Sequence, residues 1–293
     1  LAPVHLAAFQ DPDLMSKISV AQFAMLLGVL IAAAKDEQSD TAVKIALQLA
    51  YDRCSGISLS SLVEIGPEVA DGVWTVLQLS AGTSDPLDTY YWSVVLTAMA
   101  SLDLPRAAGL AFEAIALGAA TVPDGPQDVL RELASRDSVA VTHEFCKALF
   151  NDEWQWRLTY RSLRELVPLL SEEELRAWLE TVGVEAARRL APHLPMPTID
   201  EDGTPDVPSI TQYVLDRFED DEDVFEAFVF AGHAFQVYSG DIVSQKRKES
   251  DLARKFRDHP LRRIRQWAEY EVAETSKQAA WWQNWTEEAD FHD

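Results

Sequence analysis

The feature that most constrains this chain is a dense succession of helix signals with almost no strand pattern beside it. No run of alternating Val, Ile and Thr is bounded by Asn-Gly or Asp-Gly turns. Asp85-Pro86 pairs an N-cap residue with a proline at the first helical position, where the missing N–H costs nothing. It opens the apolar segment 87–102. Ser171 with Glu174 forms a capping box ahead of SEEELRAWLETVGVEAARRL, and Asp40 is placed to cap TAVKIALQLAY. Apolar period and breaker residues predict helices over 16–35, 40–52, 59–65, 67–81, 86–102, 105–119, 126–135, 138–150, 153–169, 171–191, 209–218, 221–238, 241–257 and 260–288. The connections are short, so successive helices pack as antiparallel neighbours. The expected fold is all-α: an irregular array of antiparallel helix pairs, built either as an α-solenoid or as a multi-helix bundle.

Composition supports a packed core. Of 293 residues, 47% are hydrophobic and 25% charged, too apolar for wholesale disorder. The net charge of −23 repels phosphate backbones and anionic lipid, which disfavours nucleic-acid or membrane-surface binding by the bulk of the chain. Cys54 and Cys146 are too few for a disulfide framework and read as buried reduced thiols in a cytoplasmic, bacterial-type acidic protein. The most apolar stretch, 18–34, is short for a membrane span and contains Gln22, so it reads as a buried core helix.

The segments 67–81, 86–102 and 105–119 each carry an apolar face too broad for a surface helix. In WSVVLTAMASL and RAAGLAFEAIALG, Ala-rich helices place Leu, Val and Trp at core positions. In this they resemble the degenerate HEAT-like repeats of α-solenoids, over roughly residues 40–190. HPLRRIRQWA, in the C-terminal helix pair, resembles the start of a HEAT-like second helix. The resemblance implies stacked helix pairs, with an arginine lining the inner face of that last helix. The segment PHLPMPTIDEDGTPDVP interrupts the helical rhythm with five prolines. The expected organisation is therefore an N-terminal array over 1–191, a proline-rich acidic linker over 192–208, and a C-terminal helical unit over 209–293.

Enzyme signatures are missing: no G-x-G-x-x-G, Walker loop, G-x-S-x-G or H-E-x-x-H occurs. No catalytic, cofactor-binding or metal-ligating residue is assigned. His143 and Cys146, one helical turn apart, could begin a metal site or a thiol pair, but read as core filling. Eleven acids and one base, Arg217, lie between Asp200 and Glu226. Asp216 and Asp220 share a helix face as in the magnesium-binding helices of class I terpene synthases, but there is no DDxxD. Capping of the following helix by Asp220 and Asp221 is the plainer reading.

Two C-terminal features remain. From Ile242 to Trp267 nine bases face three acids, which makes that window +6 and leaves −29 on the rest of the chain. The favoured reading is compensation, with Arg262, Arg263 and Arg265 answered by acids of 216–226. An external acidic or nucleic-acid contact through 242–267 is the sharper alternative. Beyond it, Trp267, Trp281, Trp282 and Trp285 recur at mostly helical spacing. Three tryptophans within five residues cannot all face one core, so at least one is expected to be exposed as an interface anchor. The functional expectation is a non-enzymatic module that binds another protein, of the kind that serves as an accessory, immunity or defence-system subunit. The alternatives are a helical enzyme with a carboxylate-bound divalent metal near 216–226, and an acidic mimic of nucleic acid.

Overall fold

The computed structural model describes residues 19–36, 40–55, 67–119, 124–153, 158, 163–200, 202–233 and 241–290. The predicted helix 59–65 falls outside them, as do 154–157 and 159–162 of the predicted helix 153–169. The described end of the latter, 163–169, is not α-helical: a turn leads into a 3₁₀ turn at Val167–Leu169, where Pro168 cannot supply a helical N–H. The described residues form thirteen α-helices and one two-stranded ribbon, an all-α multi-helix fold. They gather into two compact units, 1–161 with 169–174, and 162–168 with 175–293. None of the described helices is long and apolar enough to cross a membrane.

The first unit contains α1 (Val20–Asp36), α2 (Asp40–Ser55), α3 (Pro67–Leu79), α4 (Pro86–Met99), α5 (Leu104–Leu117), α6 (Pro126–Arg136) and α7 (Ser138–Leu149). Its helix starts are written locally. Asp85 accepts from the N–H groups of Leu87 and Asp88, Asp103 from that of Arg106, and Asp137 from that of Ala140. The end of α5 is set by Gly118 at φ +94, where Ala119 N–H reaches back to the Ala114 carbonyl. Beyond contacts between chain neighbours, α1 packs on α3, α2 on α4, α4 on α6, and α5 on α7. Alternate helices therefore stack, the arrangement by which helix pairs bury each other's apolar faces. Alanine makes the close approach feasible. In α5, Ala107, Ala108, Ala111 and Ala114 are solvent-free, and Phe112 packs against Phe145 of α7. Trp92 of α4 fills the space between helices and donates its indole N–H to the Leu77 carbonyl at 2.7 Å.

Helix α1 departs from expectation. Phe23, Leu27, Leu30 and Ala34 are buried, but Met25 and Val29 face solvent, so it is a core helix on one side only.

The second unit contains most of α8 (Glu172–Val182), then α9 (Val184–Leu190), a 3₁₀ turn at 191–193, β1 (Thr198–Ile199), β2 (Pro205–Asp206), α10 (Ser209–Arg217), α11 (Glu222–His233), α12 (Ile242–Arg254) and α13 (Arg262–Asp290). The single helix expected over 171–191 is two. Gly183 adopts φ +80 and ψ −146, a backbone region open essentially to glycine alone, and this turns the chain between α8 and α9. The proline-rich stretch lies inside this unit. Pro192, His193 and Leu194 are buried, the 3₁₀ turn packs on α11, and β1 pairs with β2 in a small antiparallel ribbon turned at Gly203. The ribbon is too short to show as alternation in sequence, and Asp200 closes it by accepting from Thr204 N–H at 2.7 Å.

Candidate functional site

In the second unit, the arginines at the start of α13 grip the turn that follows α10. Arg262 donates to the Glu219 carbonyl at 2.7 Å and to Asp220 Oδ1 at 3.4 Å. Arg263 is buried. It donates to the Glu219 carbonyl at 2.6 Å and to Glu222 Oε2 at 2.9 Å, and its guanidinium lies 4.8 Å from the Phe225 ring centre. Both cations thus meet the negative end of the α10 dipole as well as carboxylates. Arg265 turns elsewhere and donates to the carbonyls of His259 and Pro260, at 2.7 Å each. On the opposite side of the acidic turn, Arg188 bonds Asp221 at 2.8 Å and pairs with Asp223 at 2.9 Å. That hydrogen bond holds the Asp221 carboxyl below the usual range, while Asp221 caps α11 by accepting from Val224 N–H.

The densest part of the acidic run, 219–223, is therefore engaged by guanidinium groups of the same unit. Glu219, Asp220, Asp221, Glu222 and Asp223 each face an arginine, and among the described residues no three His, Cys, Asp or Glu side chains gather as a metal site would need. Several other cations of 242–267 are spoken for as well. Lys246 is fully buried against Glu249, Arg254 pairs with Asp251, and Lys255 reaches the Gly203 carbonyl.

The tryptophans separate. Trp267 is buried, edge-on to Phe256 at 5.5 Å. Trp281 is 58% exposed and packs edge-on to the half-buried Trp282 at 4.8 Å. Trp285 lies on α13, its side chain outside the described residues. Helix α13 in consequence has two seams. Ile264, Trp267, Ala268, Val272 and Ala279 are buried, on a helix that packs along α12. Tyr270, Ala273, Ala280 and Trp281 face solvent; Tyr270 and Trp281, eleven residues apart, differ by only about 20° around the helix.

The first unit holds a feature that the sequence reading missed. A cleft of about 400 Å³ lies where α3, α5 and α7 meet. Trp74 of α3 is 3% exposed at its floor, covered by the Arg106 guanidinium at 4.6 Å from the ring centre. Glu113 stands two turns further along α5. Glu144 and Lys147 of α7 pair at 2.6 Å across the rim. Burial raises the Glu113 carboxyl above the ordinary range, with no opposing cation among the described residues. The available signal was Gly109 inside an otherwise strong helix, one turn before an acid on its apolar side. A second cleft, of about 600 Å³, lies beside the start of α4, where Lys44 bonds Asp88 at 2.9 Å.

His143 and Cys146 do not act together. His143 turns outward to Glu174 at 2.9 Å, whereas Cys146 is buried and its thiol is pushed up to about 12 by desolvation, so no thiolate forms near neutrality. In the second unit His193 is fully enclosed. Burial and the nearby Arg164 charge depress its imidazole to about 3. Arg164 itself donates to the carbonyls of Pro192 and Phe228, and burial lowers it to about 10.

No protein family, curated protein or solved structure matches this chain.

Proposed function

We propose that the chain is a non-enzymatic protein-binding module, a HEAT-like helical array whose C-terminal helix docks a partner protein. The observation that carries this reading is the outer seam of α13. Tyr270 and Trp281 stand about 16 Å apart on one helix face, eleven residues at ~1.5 Å each, with Ala273 and the Glu274–Lys277 ion pair between them. Two aromatic knobs flanking an ion pair suit a partner helix laid along this face. Tryptophan and tyrosine are the side chains that most often dominate interface energy. Trp282 braces Trp281 edge-on, so the anchor is ordered before binding and loses less rotamer freedom on contact. Arg262 and Arg263, at the start of the same helix, are consumed by the acidic turn, which favours a protein contact over a nucleic-acid one.

The same internal pairing disfavours the carboxylate-metal enzyme, because a divalent ion near 216–226 would have to displace Arg188, Arg262 and Arg263. A cytoplasmic setting accords with two reduced, buried cysteines.

The test is site-specific photocrosslinking in the cell of origin. Benzoylphenylalanine at position 281 or 273 should yield one discrete heterologous adduct that Tyr270→Ala weakens, and none from position 251 on α12. The reading fails if no adduct forms, or if positions 251 and 281 give the same set.

A further inference from the structure

From the Trp74–Glu113 cleft of the first unit we infer that the module has a second recognition site, which takes a partner segment carrying one basic side chain with an acidic side chain about three residues away. This site stands apart from the α13 seam and from the reading built on it.

The argument begins with charge. Four ionised groups line the cleft, and two of them, Glu144 and Lys147, neutralise each other. Arg106 and Glu113 do not. They lie seven residues apart on α5, a rise of about 10 Å along one helix face. The Arg106 guanidinium is stacked on Trp74 and engages no carboxylate among the described residues. Glu113 has neither hydrogen bond nor ion pair among them, although it is partly withdrawn from water. A half-buried carboxylate without a cation destabilises a fold, and such sites persist where the missing partner arrives from outside.

The second element is space. Gly109 sits on α5 between the two charges, in mid-helix, where glycine is less favourable than alanine. The closest approach to a Cβ placed there is Glu144 Oε2 at 3.4 Å, an ordinary contact, so packing within the fold does not require glycine. Its effect is to deepen the cleft beside Glu113.

Complementarity fixes the ligand. A lysine or arginine side chain meets Glu113, while Arg106 repels a second cation and accepts a carboxylate. Three residues of extended chain span about 10 Å, matching the rise along α5 between the two residues. The order of preference is the reverse of what bulk electrostatics gives, since a chain of −23 attracts dibasic peptides most strongly.

The test uses capped glycine-rich peptides: Arg-Gly-Gly-Glu in both chain directions, a lone Arg, Arg-Gly-Gly-Arg, and norleucine in place of Arg. Binding is followed through the indole resonance of Trp74 and the backbone amide of Gly109 in the full chain. One Arg/Glu peptide should bind best, the lone Arg next, Arg/Arg more weakly, and norleucine not at all. Glu113→Gln should weaken the best peptide about tenfold, as expected for a lost charge-assisted hydrogen bond, while raising the melting temperature. A purely structural glutamate would lower it. Gly109→Leu, which leaves net charge unchanged, should abolish binding. Tightest binding by Arg/Arg, equal binding by Glu113→Gln, or no shift with any peptide would each overturn the inference. None of these outcomes bears on crosslinking from position 281.

Discussion

His193 makes the pH response of the second unit a direct measure of its burial. Its imidazole titrates near 3 in the fold against 6.5 for the free side chain, because desolvation and the Arg164 charge both oppose protonation. A depressed histidine pKa means the unfolded chain binds the proton first, so stability is present in full above 6.5 and is lost as pH falls toward 3. With ~1.36 kcal/mol per pH unit between the two values, acidification from pH 7 to pH 5 removes about 2 kcal/mol, and to pH 4 about 3 kcal/mol. Carboxylates such as Asp221, whose pKa is held down by Arg188, add their own loss at lower pH and must be subtracted. His193→Gln supplies the subtraction, since it removes the titration and leaves the acids. Urea unfolding at pH 7 and pH 5, read by probes in 175–293, should show wild type losing about 2 kcal/mol more than the variant. The ring Cε1 resonance of His193 should hold its neutral position from pH 8 to pH 4.5. A folded-state midpoint near 6.5, or parallel losses in the two proteins, would refute the reasoning.

Arg263→Gln should cost roughly 1.5–3 kcal/mol, because it removes a buried guanidinium together with its hydrogen bonds to the Glu219 carbonyl and Glu222 and its packing on Phe225. Chemical denaturation in low and high salt should show that loss persisting, whereas Arg262→Gln, with a more exposed pair, should cost under about 1 kcal/mol and fade with salt. Gly183→Ala should lose about 1–3 kcal/mol by thermal unfolding, since alanine does not tolerate φ +80 with ψ −146. Iodoacetamide at pH 8 should leave Cys146 unmodified in the native protein and label it only after denaturation, as mass spectrometry of the peptide will show.

The fold was legible where local chemistry decides it. Asp85, Asp103 and Asp137 each sit one residue before a helix and each caps it, and Pro86 and Pro126 occupy first-turn positions where proline is at ease. The break at Gly183 was not legible, because SEEELRAWLETVGVEAARRL keeps its apolar period across the glycine. A glycine inside a helical period looks the same whether it lies in the helix, as Gly109 does, or turns the chain with positive φ, as Gly183 does. The ribbon 198–206 was hidden for a different reason: two-residue strands are held by the Asp200 turn and by neighbouring elements, not by a side-chain pattern.

The sites divide along the same line. That basic and acidic segments of one chain compensate each other follows from charge count, and the partners of Arg262 and Arg263 were bounded to 216–226 in advance. Arg265 was not separable from them, because its use of the His259 and Pro260 carbonyls depends on how the chain enters α13. The cleft was invisible because its parts come from three helices: Trp74, Arg106 with Glu113, and Glu144 with Lys147. Periodicity marks Glu113 only as an acid on an apolar face, the usual signature of a solvated edge. What changes its meaning is tertiary. The α3 and α7 walls withdraw it from water while Lys147 is claimed by Glu144, so its charge is left without an answer among the described residues.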